Sequence, residues 1–286
     1  MDIFTLYVGQ GDLSAVRCMN EAIVIDSYMA DSDHVSKEQI EASLNSYLAK
    51  CVVRGLVLTG FDNDHACPAG VDSILTNHEP DWVMYPKYYK DTDSTREVFK
   101  IIAREEKRRA NTARPLRRVS VRVDKADTRR LEGLTVNFSL ELFSPHMDDM
   151  DSSNNCSIVL KATGETQSGF SYLITGDTEK ERWENINRYF GDSLRSEVLS
   201  APHHGSITGV HPASLLNISP NTVLISAGVD NQYGHPDPEA VAAYQRVAEH
   251  VFATNVDGGT CLFTCRKAGG FETHLVRHPE TADSRR

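Results

Sequence analysis

This chain has no run of apolar residues near the ~18 that a membrane-spanning helix needs, so no membrane partner is expected. Its first residues, "MDIFTLYVGQGD", lack a basic n-region and an apolar h-region, and no secretory signal is expected. The six cysteines (Cys18, Cys51, Cys67, Cys156, Cys261 and Cys265) form neither a CxxC pair nor a regular framework. Thiols in a reducing cytoplasm are the simplest expectation. Positive charge is scarce: 30 Lys and Arg stand against 40 Asp and Glu, a net charge of −10, which argues against a general nucleic-acid coat protein. No internal period of 20–50 residues stands out. What remains is an ordinary soluble composition, 40% hydrophobic and 24% charged, in 286 residues. A chain of that length can bury a substantial core without staples.

Strand-like segments rich in β-branched and aromatic residues are "DIFTLYVG", "EAIVIDSY", "VVRGLVLTG", "DWVMYP", "LRRVSVRV", "LTVNFSLELFSP", "CSIVLKAT", "FSYLITGD", "SEVLSAP" and "NTVLISAG". "VFATN", "TCLFTCR" and "THLVRH" follow near the end. Helical spacing places Ile40, Leu44, Tyr47, Leu48 and Cys51 on one face, with Ser36 as the cap. Further helices are expected in "STREVFKIIAREEKRRA", in "TEKERWENINRYFG" closed by Gly191, and in "DPEAVAAYQRVAEHV" with Val241, Tyr244, Ala248 and Val251 in register. The order of elements fits one α/β domain of two sheets over residues 1–278, with a polar tail at 279–286.

Metal-competent residues recur just after predicted strands. Asp62, Asp64 and His65 follow "LVLTG"; Asp177 lies in "LITGD"; His203 and His204 follow "VLSAP"; His235 follows "ISAG". Strand ends facing one edge of a sheet would gather them, and mixed carboxylate and imidazole donors suit Zn²⁺, Mn²⁺ or Fe. Taken singly each has a plainer reading: Asp62 and Asp64 as turn or cap residues before "AGVDSIL", "TGD" as a turn, "HHG" as a surface loop. Calcium loops are not matched, because "DNDHACPAG" and "DMDSSNNCSIVL" lack the Gly at position six.

The succession "VGQGD", "IVIDS", "TGFDNDH", "NNCSIVL", "LITGD", "APHHGS" and "YGHP" resembles the metallo-β-lactamase fold, and within it the ComEC-like hydrolase domains. The resemblance covers residues 1 to about 265. It implies an αββα sandwich of two mixed β-sheets flanked by helices, with a site for one or two divalent ions, Zn²⁺ or Mn²⁺, between the sheet edges. It also implies metal-dependent hydrolysis, and a DNA nuclease in the ComEC-like case.

Family members carry His-x-His-x-Asp-His or His-x-Asp-x-Asp-His, where this chain reads Gly60-Phe61-Asp62-Asn63-Asp64-His65. The first histidine is replaced by glycine. The resemblance therefore implies metal ligands at Asp62, Asp64, His65, bridging Asp177 and one of the pair His203 and His204, with His203 the expected ligand. Asp177, His204 and His235 are the expected catalytic groups. Asn155 and Ser157, in the segment that replaces a further family histidine, are expected at the substrate.

One segment departs from the acidic background. Residues 96–130 carry thirteen Lys or Arg against five acids, so basic charge is segregated there, within the helix and strand segment 94–130. The segment reads in three ways: a solvated face with internal ion pairs, a face for an acidic protein partner, or a phosphate-tracking surface using Arg108, Arg109, Arg117 and Arg118. Aromatic interleaving is poor, with only Phe99 inside it. The expected function is a cytoplasmic metal-dependent hydrolase cleaving a phosphodiester in nucleic acid or a nucleotide. The alternative is a catalytically weakened binding or scaffold module serving a protein partner.

Overall fold

The alternating N-terminal segments pair with one another, and the C-terminal ones return to join them. In the computed structural model, which describes residues 1–123, 129–146, 152–164, 170–267 and 270–280, β1 (Asp2–Thr5), β2 (Ser14–Cys18) and β3 (Glu21–Ile25) form an antiparallel meander. β4 (Val52–Val57), β5 (Trp82–Pro86) and β6 (Arg117–Val121) then add in parallel to β3. The helices α1 (Lys37–Leu48), α2 (Pro68–Asn77) and α3 (Asp93–Arg109) make the crossovers. Two late strands, β14 (Cys261–Lys267) and β15 (Gly270–Val276), return to pair beside β1. The first sheet is ordered β15-β14-β1-β2-β3-β4-β5-β6.

The second sheet takes the middle of the chain. β7 (Arg129–Arg130), β8 (Phe138–Ser144), β9 (Val159–Gly164) and β10 (Ser171–Ile174) are antiparallel. β11 (Val198–Ser200), β12 (Thr222–Ile225) and β13 (His250–Ala253) follow β10 in parallel. Between them lie α4 (Lys180–Phe190), α5 (Pro212–Ile218) and α6 (Pro238–Gln245). The order is β13-β12-β11-β10-β9-β8-β7.

The period-two alternation of the strands sorts their side chains into two cores. Ile23 and Ile25 of β3, Val57 of β4, and Trp82 and Met84 of β5 join Leu140, Leu142, Leu160 and Tyr172 of the second sheet. That cluster continues to Trp183, Leu215 and Tyr244 of the second helical layer. The opposite faces of the same strands, Ala22, Val24, Leu56 and Val83, meet Ile40, Leu44, Val71, Ile74, Val98 and Ile102 of α1 to α3. Both faces of each sheet are thereby covered, as parallel strands require, and the result is the expected αββα sandwich of mixed sheets.

α1 starts with a capping box: Ser36 accepts from Gln39 N, and Gln39 returns a bond to Ser36 N. α4 closes at Gly191 with φ 43°. The helix expected in "DPEAVAAYQRVAEHV" is shorter than its periodicity suggests. α6 ends at Gln245, and His250–Ala253 becomes β13, paired with Thr222–Ile225. Val251 and Ala248 keep helical spacing in the sequence, but the open edge of β12 gives the backbone at 250–253 a complete parallel ladder. β2 and α5 had no counterpart in the sequence reading. Residues 124–128 of the basic segment and 281–286 of the tail lie outside the described residues.

Because β3, β4, β10, β11 and β12 run in parallel register within their sheets, their C-terminal ends reach one edge of the sandwich. The first turn of α2 is pressed against that edge. A Cβ on Gly70 would lie 1.7 Å from the Ser27 carbonyl oxygen, whereas one on Gly60 would meet nothing within 4 Å. Gly70→Ala should therefore destabilise the fold by about 1–3 kcal/mol through overpacking, read as a lower urea midpoint. Gly60→Ala should stay within about 0.5 kcal/mol of the parent. Equal midpoints for the two variants would contradict this packing.

Candidate metal centre

Each functional side chain at this edge is delivered by the residue or loop just beyond a strand. Asp26 follows β3, the Thr59–His65 loop follows β4, Asp177 follows β10, and His203 and His204 follow β11. Asp26, His203 and His204 have φ of 56°, 51° and 54°, in the left-handed region. Non-glycine residues there cost about 1–3 kcal/mol each and cluster at functional sites.

Asp26 is buried and sets the orientation of His65. Thr59 donates its backbone N–H to Asp26 Oδ1 and its hydroxyl to Oδ2, both at 2.7 Å. His65 Nδ1 lies 2.9 Å from Asp26 Oδ2. A carboxylate only accepts, so Nδ1 carries the proton and Nε2 faces inward. His65 Nε2 stands 2.9 Å from Asp177 Oδ1. The same device fixes His204. Its Nδ1 donates to the Ser226 carbonyl at 3.1 Å, which turns Nε2 toward Asp64 Oδ2 at 3.4 Å and Asp177 Oδ1 at 3.7 Å.

His65 Nε2, Asp177 Oδ1 and His204 Nε2 are all buried, and none makes a well-angled hydrogen bond despite the short separations. Leaving buried polar atoms unsatisfied costs about 1–3 kcal/mol each, and three of them converging on one point form a donor set that suits a divalent cation. The spacing fits: donors sharing an ion at ~2.1 Å are separated by about 3–3.5 Å, close to the 2.9, 3.4 and 3.7 Å observed. Asp12, His65, Asp177 and His204 each present a ligand atom within 4.8 Å of the others. Asp64 stands outside that four-membered group and reaches it through His204.

Without a cation the charges are strongly coupled. Burial opposes protonation of both histidines. The carboxylates of Asp177 and Asp26 outweigh it at His65, whose pKa is well raised, and Asp12 and Asp177 raise His204 to about 9. Burial works against ionisation of Asp177, yet His65 and His204 hold its pKa well below the usual range. Burial pushes Asp12 up.

Of the two histidines in "HHG", it is His204 that is 3% exposed on its side chain and touches Asp64. His203 is 23% exposed, 3.9 Å from Asp177 Oδ2 and 3.5 Å from Glu179, with Nδ1 3.1 Å from the Thr208 hydroxyl. In the geometry it is thus His204, not His203, that joins the cluster. His235 lies beyond His203, ring centroids 5.8 Å apart, and stacks on Tyr233. Burial lowers its pKa. Ser157 Oγ accepts the Asp177 N–H, and Asn155 Oδ1 accepts the Glu179 N–H, so both support the Asp177 loop. Asp62 is half-buried and its backbone carbonyl accepts from His65 and Ala66, but its carboxylate is not part of the cluster. Gly60 leaves open space, with backbone outside the left-handed region.

The four arginines named as a substrate surface lie elsewhere. α3 begins at the metal edge and runs back to the start of β6, so Arg108, Arg109, Arg117 and Arg118 sit at the far edge. Arg109 is 1% exposed and donates to the carbonyls of Pro80 and Arg114. Arg108 pairs with Glu79 and Glu105, and Arg118 with Glu106. The basic segment is mostly an ion-paired helix face, with Arg96 on Asp91, Lys100 on Glu97 and Arg104 on Asp72. Asp12 and Asp26 were missed as site residues, although each follows a strand in "VGQGD" and "IVIDS" as the assigned groups do.

The chain matches no protein-family model. It is 30% identical over 205 residues, 71% of its length, to ComE operon protein 3 of Bacillus subtilis (strain 168). It is 26% identical over 258 residues, 89% of its length, to Recombination protein 2 of Haemophilus influenzae. It spans 24% and 28% of those two proteins, about a quarter of each. Among solved structures it is similar to Igni18, a metallo hydrolase from the archaeon Ignicoccus hospitalis, with a TM-score of 0.54 and 13% identity over 93% of this chain and all of that one. Among the described residues no helix is long and apolar enough to cross a membrane. By its two mixed sheets, its helical layers and this edge of strand-end carboxylates and imidazoles, the chain is a metallo-β-lactamase-fold protein, related in sequence to a segment of the ComE operon protein 3 type.

Proposed function

We propose that this chain is a metal-dependent hydrolase that cleaves a phosphodiester in nucleic acid or a nucleotide. The observation that carries the reading is the convergence of His65 Nε2, Asp177 Oδ1 and His204 Nε2, buried and without a well-angled hydrogen bond. One dominant ion, Zn²⁺ or Mn²⁺, would be held by Asp64, His65, Asp177 and His204, because Asp12 Oδ2 faces the outer nitrogens, 3.6 Å from His65 Nδ1 and 3.8 Å from His204 Nδ1, and so stands behind the two imidazoles. A divalent cation in such a donor set brings water to near-neutral pKa and polarises a phosphoryl oxygen. Asp26 and the Ser226 carbonyl keep both imidazoles in the tautomer whose Nε2 lone pair faces inward. His203, the more exposed of the pair, lies between Asp177 and His235, where it can hold a phosphate oxygen. His235, kept neutral by burial at pH 7, can relay a proton toward the leaving group only after gaining one from solvent. The printed name of the relative Recombination protein 2 supports a nucleic-acid substrate.

A second reading, a weakened binding or scaffold module, is favoured by one feature. Gly60 offers no ligand and Asp62 stands outside the cluster, so a second ion would have few donors.

Elemental analysis should give nearer one ion than two per chain. His204→Ala should lose the ion and His203→Ala should keep it; the reverse would exchange the roles again. Asp26→Asn, which removes the charge behind His65, should lower metal affinity about 10–100-fold. Hydrolysis of a generic phosphodiester that is absent at full metal occupancy would leave the scaffold reading.

Protons compete with the ion for the same nitrogens. His204, raised to about 9, lends the metal-free protein stability that is complete below its unfolded pKa of ~6.5 and is lost as pH rises through about 9. Metal affinity should run the opposite way, rising from pH 6.5 to 9 as the imidazolium proton leaves. Urea unfolding with the metal stripped and competition titration with it restored should show these opposite slopes; parallel slopes would contradict the assignment.

Gly60→His tests the vacant position. The backbone permits a side chain and a Cβ there meets nothing within 4 Å, so affinity for a second Mn²⁺ should rise in calorimetry. A folded variant with no gain would show that position 60 does not face the site.

A further inference from the structure

Where β4, β5 and β6 begin, at the edge opposite the metal cluster, the surface opens into a cavity of about 600 Å³. One wall carries Arg54, Arg114 and Arg117; the other is apolar, formed chiefly by Val52, Leu134 and Val136. Val136 is 65% exposed, and its neighbours in the cavity give it apolar company rather than cover.

Both walls are held by buried charged residues that do not themselves face the cavity. Arg109 donates to the Arg114 carbonyl and to that of Pro80, fixing the turn before β6. Glu21, 1% exposed, accepts the backbone N–H groups of Val136 and Asn137 at 2.9 and 2.7 Å, fixing the segment before β8.

Positive charge exceeds negative in the cavity wall. The single carboxylate of Asp81 serves two guanidinium groups, Arg54 Nη1 at 3.1 Å and Arg114 Nε at 2.7 Å. Arg54 also meets Glu21 at 2.6 Å, and Arg114 Nη2 donates to the Val53 carbonyl. Arg117 makes no ion pair among the described residues, in contrast to its neighbour Arg118 on Glu106. The Arg117 guanidinium, with Arg114 Nη1 beside it and an apolar wall opposite, matches a phosphate head on a partly apolar body. The volume lies within the range of small-ligand sites, about 300–1,000 Å³.

We propose that this cavity binds a small organic phosphate of mononucleotide size. The phosphate lies on Arg117 and Arg114, and the body lies against Val52, Leu134 and Val136. The site is separate from the proposed metal centre and does not depend on it. β4 connects the two, starting in this cavity and ending in the loop that carries His65.

The test is calorimetric titration of the full chain, stripped of metal and dialysed free of chelator, with adenosine monophosphate, inorganic phosphate and adenosine. One site per chain is expected. Adenosine monophosphate should bind more tightly than inorganic phosphate, and adenosine should bind weakest. Arg117→Glu, at an exposed residue whose side chain has no partner among the described residues, should weaken the monophosphate by about tenfold or more. Lys100→Glu, the same charge reversal on the outer face of α3, should leave it unchanged. Backbone amide shifts in nuclear magnetic resonance should centre on residues 113–117 and 133–136. Equal losses in both variants, shifts centred on His65 and His204, or no saturable binding in the millimolar range would each overturn the assignment.

Discussion

The candidate site depends on one buried carboxylate. Asp26 is held from two directions by Thr59 and in turn fixes the proton on His65 Nδ1. Without that anchor His65 would be free to flip, and its Nε2 would no longer face Asp177. The anchor also ties β3 to β4 across the edge, since Thr59 leaves one strand and Asp26 the other. A charge this deeply placed is tolerable because its oxygens accept from a backbone N–H, a hydroxyl and an imidazole. The left-handed backbone at Asp26 is the local cost of aiming it inward.

A second anchor of the same kind, the Ser226 carbonyl on His204, comes from the other sheet. The two imidazoles reach the same carboxylate oxygen from opposite layers of the sandwich. The centre is therefore an interface between sheets, and its precision rests on their packing. On the first sheet α2 is pressed closely on the Ser27 carbonyl at Gly70, where the metal-edge loop of β4 passes into the helical layer. It also separates the two regions of interest. The C-terminal strand ends collect acids and imidazoles, and the N-terminal ends of β4 to β6 collect arginines.

Much of this was legible in the sequence. Strand-terminal placement of Asp62–His65, Asp177, His203–His204 and His235 could be read from apolar runs ending in polar residues, because strands end where their hydrophobic pattern ends. The αββα architecture was implied by the family resemblance that the order of motifs carries. The segregated basic charge was legible too, but its position was not: helix direction decides whether α3 presents Arg108 and Arg109 to the metal edge or away from it, and α3 runs away. The local pattern in "DPEAVAAYQRVAEHV" favours helix throughout, and only the open edge of β12 turns its end into β13.

The sequence by itself determined which donors exist, that they lie at strand ends, and that position 60 carries no imidazole. Those are properties of residue identity and local periodicity. Tertiary structure alone decided that His204 rather than His203 turns toward Asp64, that Asp12 and Asp26 stand behind the imidazoles, and that Asp62 lies outside the cluster. Two adjacent histidines share the same sequence context, and their side chains are distinguished only by their Nδ1 partners: the Ser226 carbonyl beyond β12 for His204, the Thr208 hydroxyl of its own loop for His203.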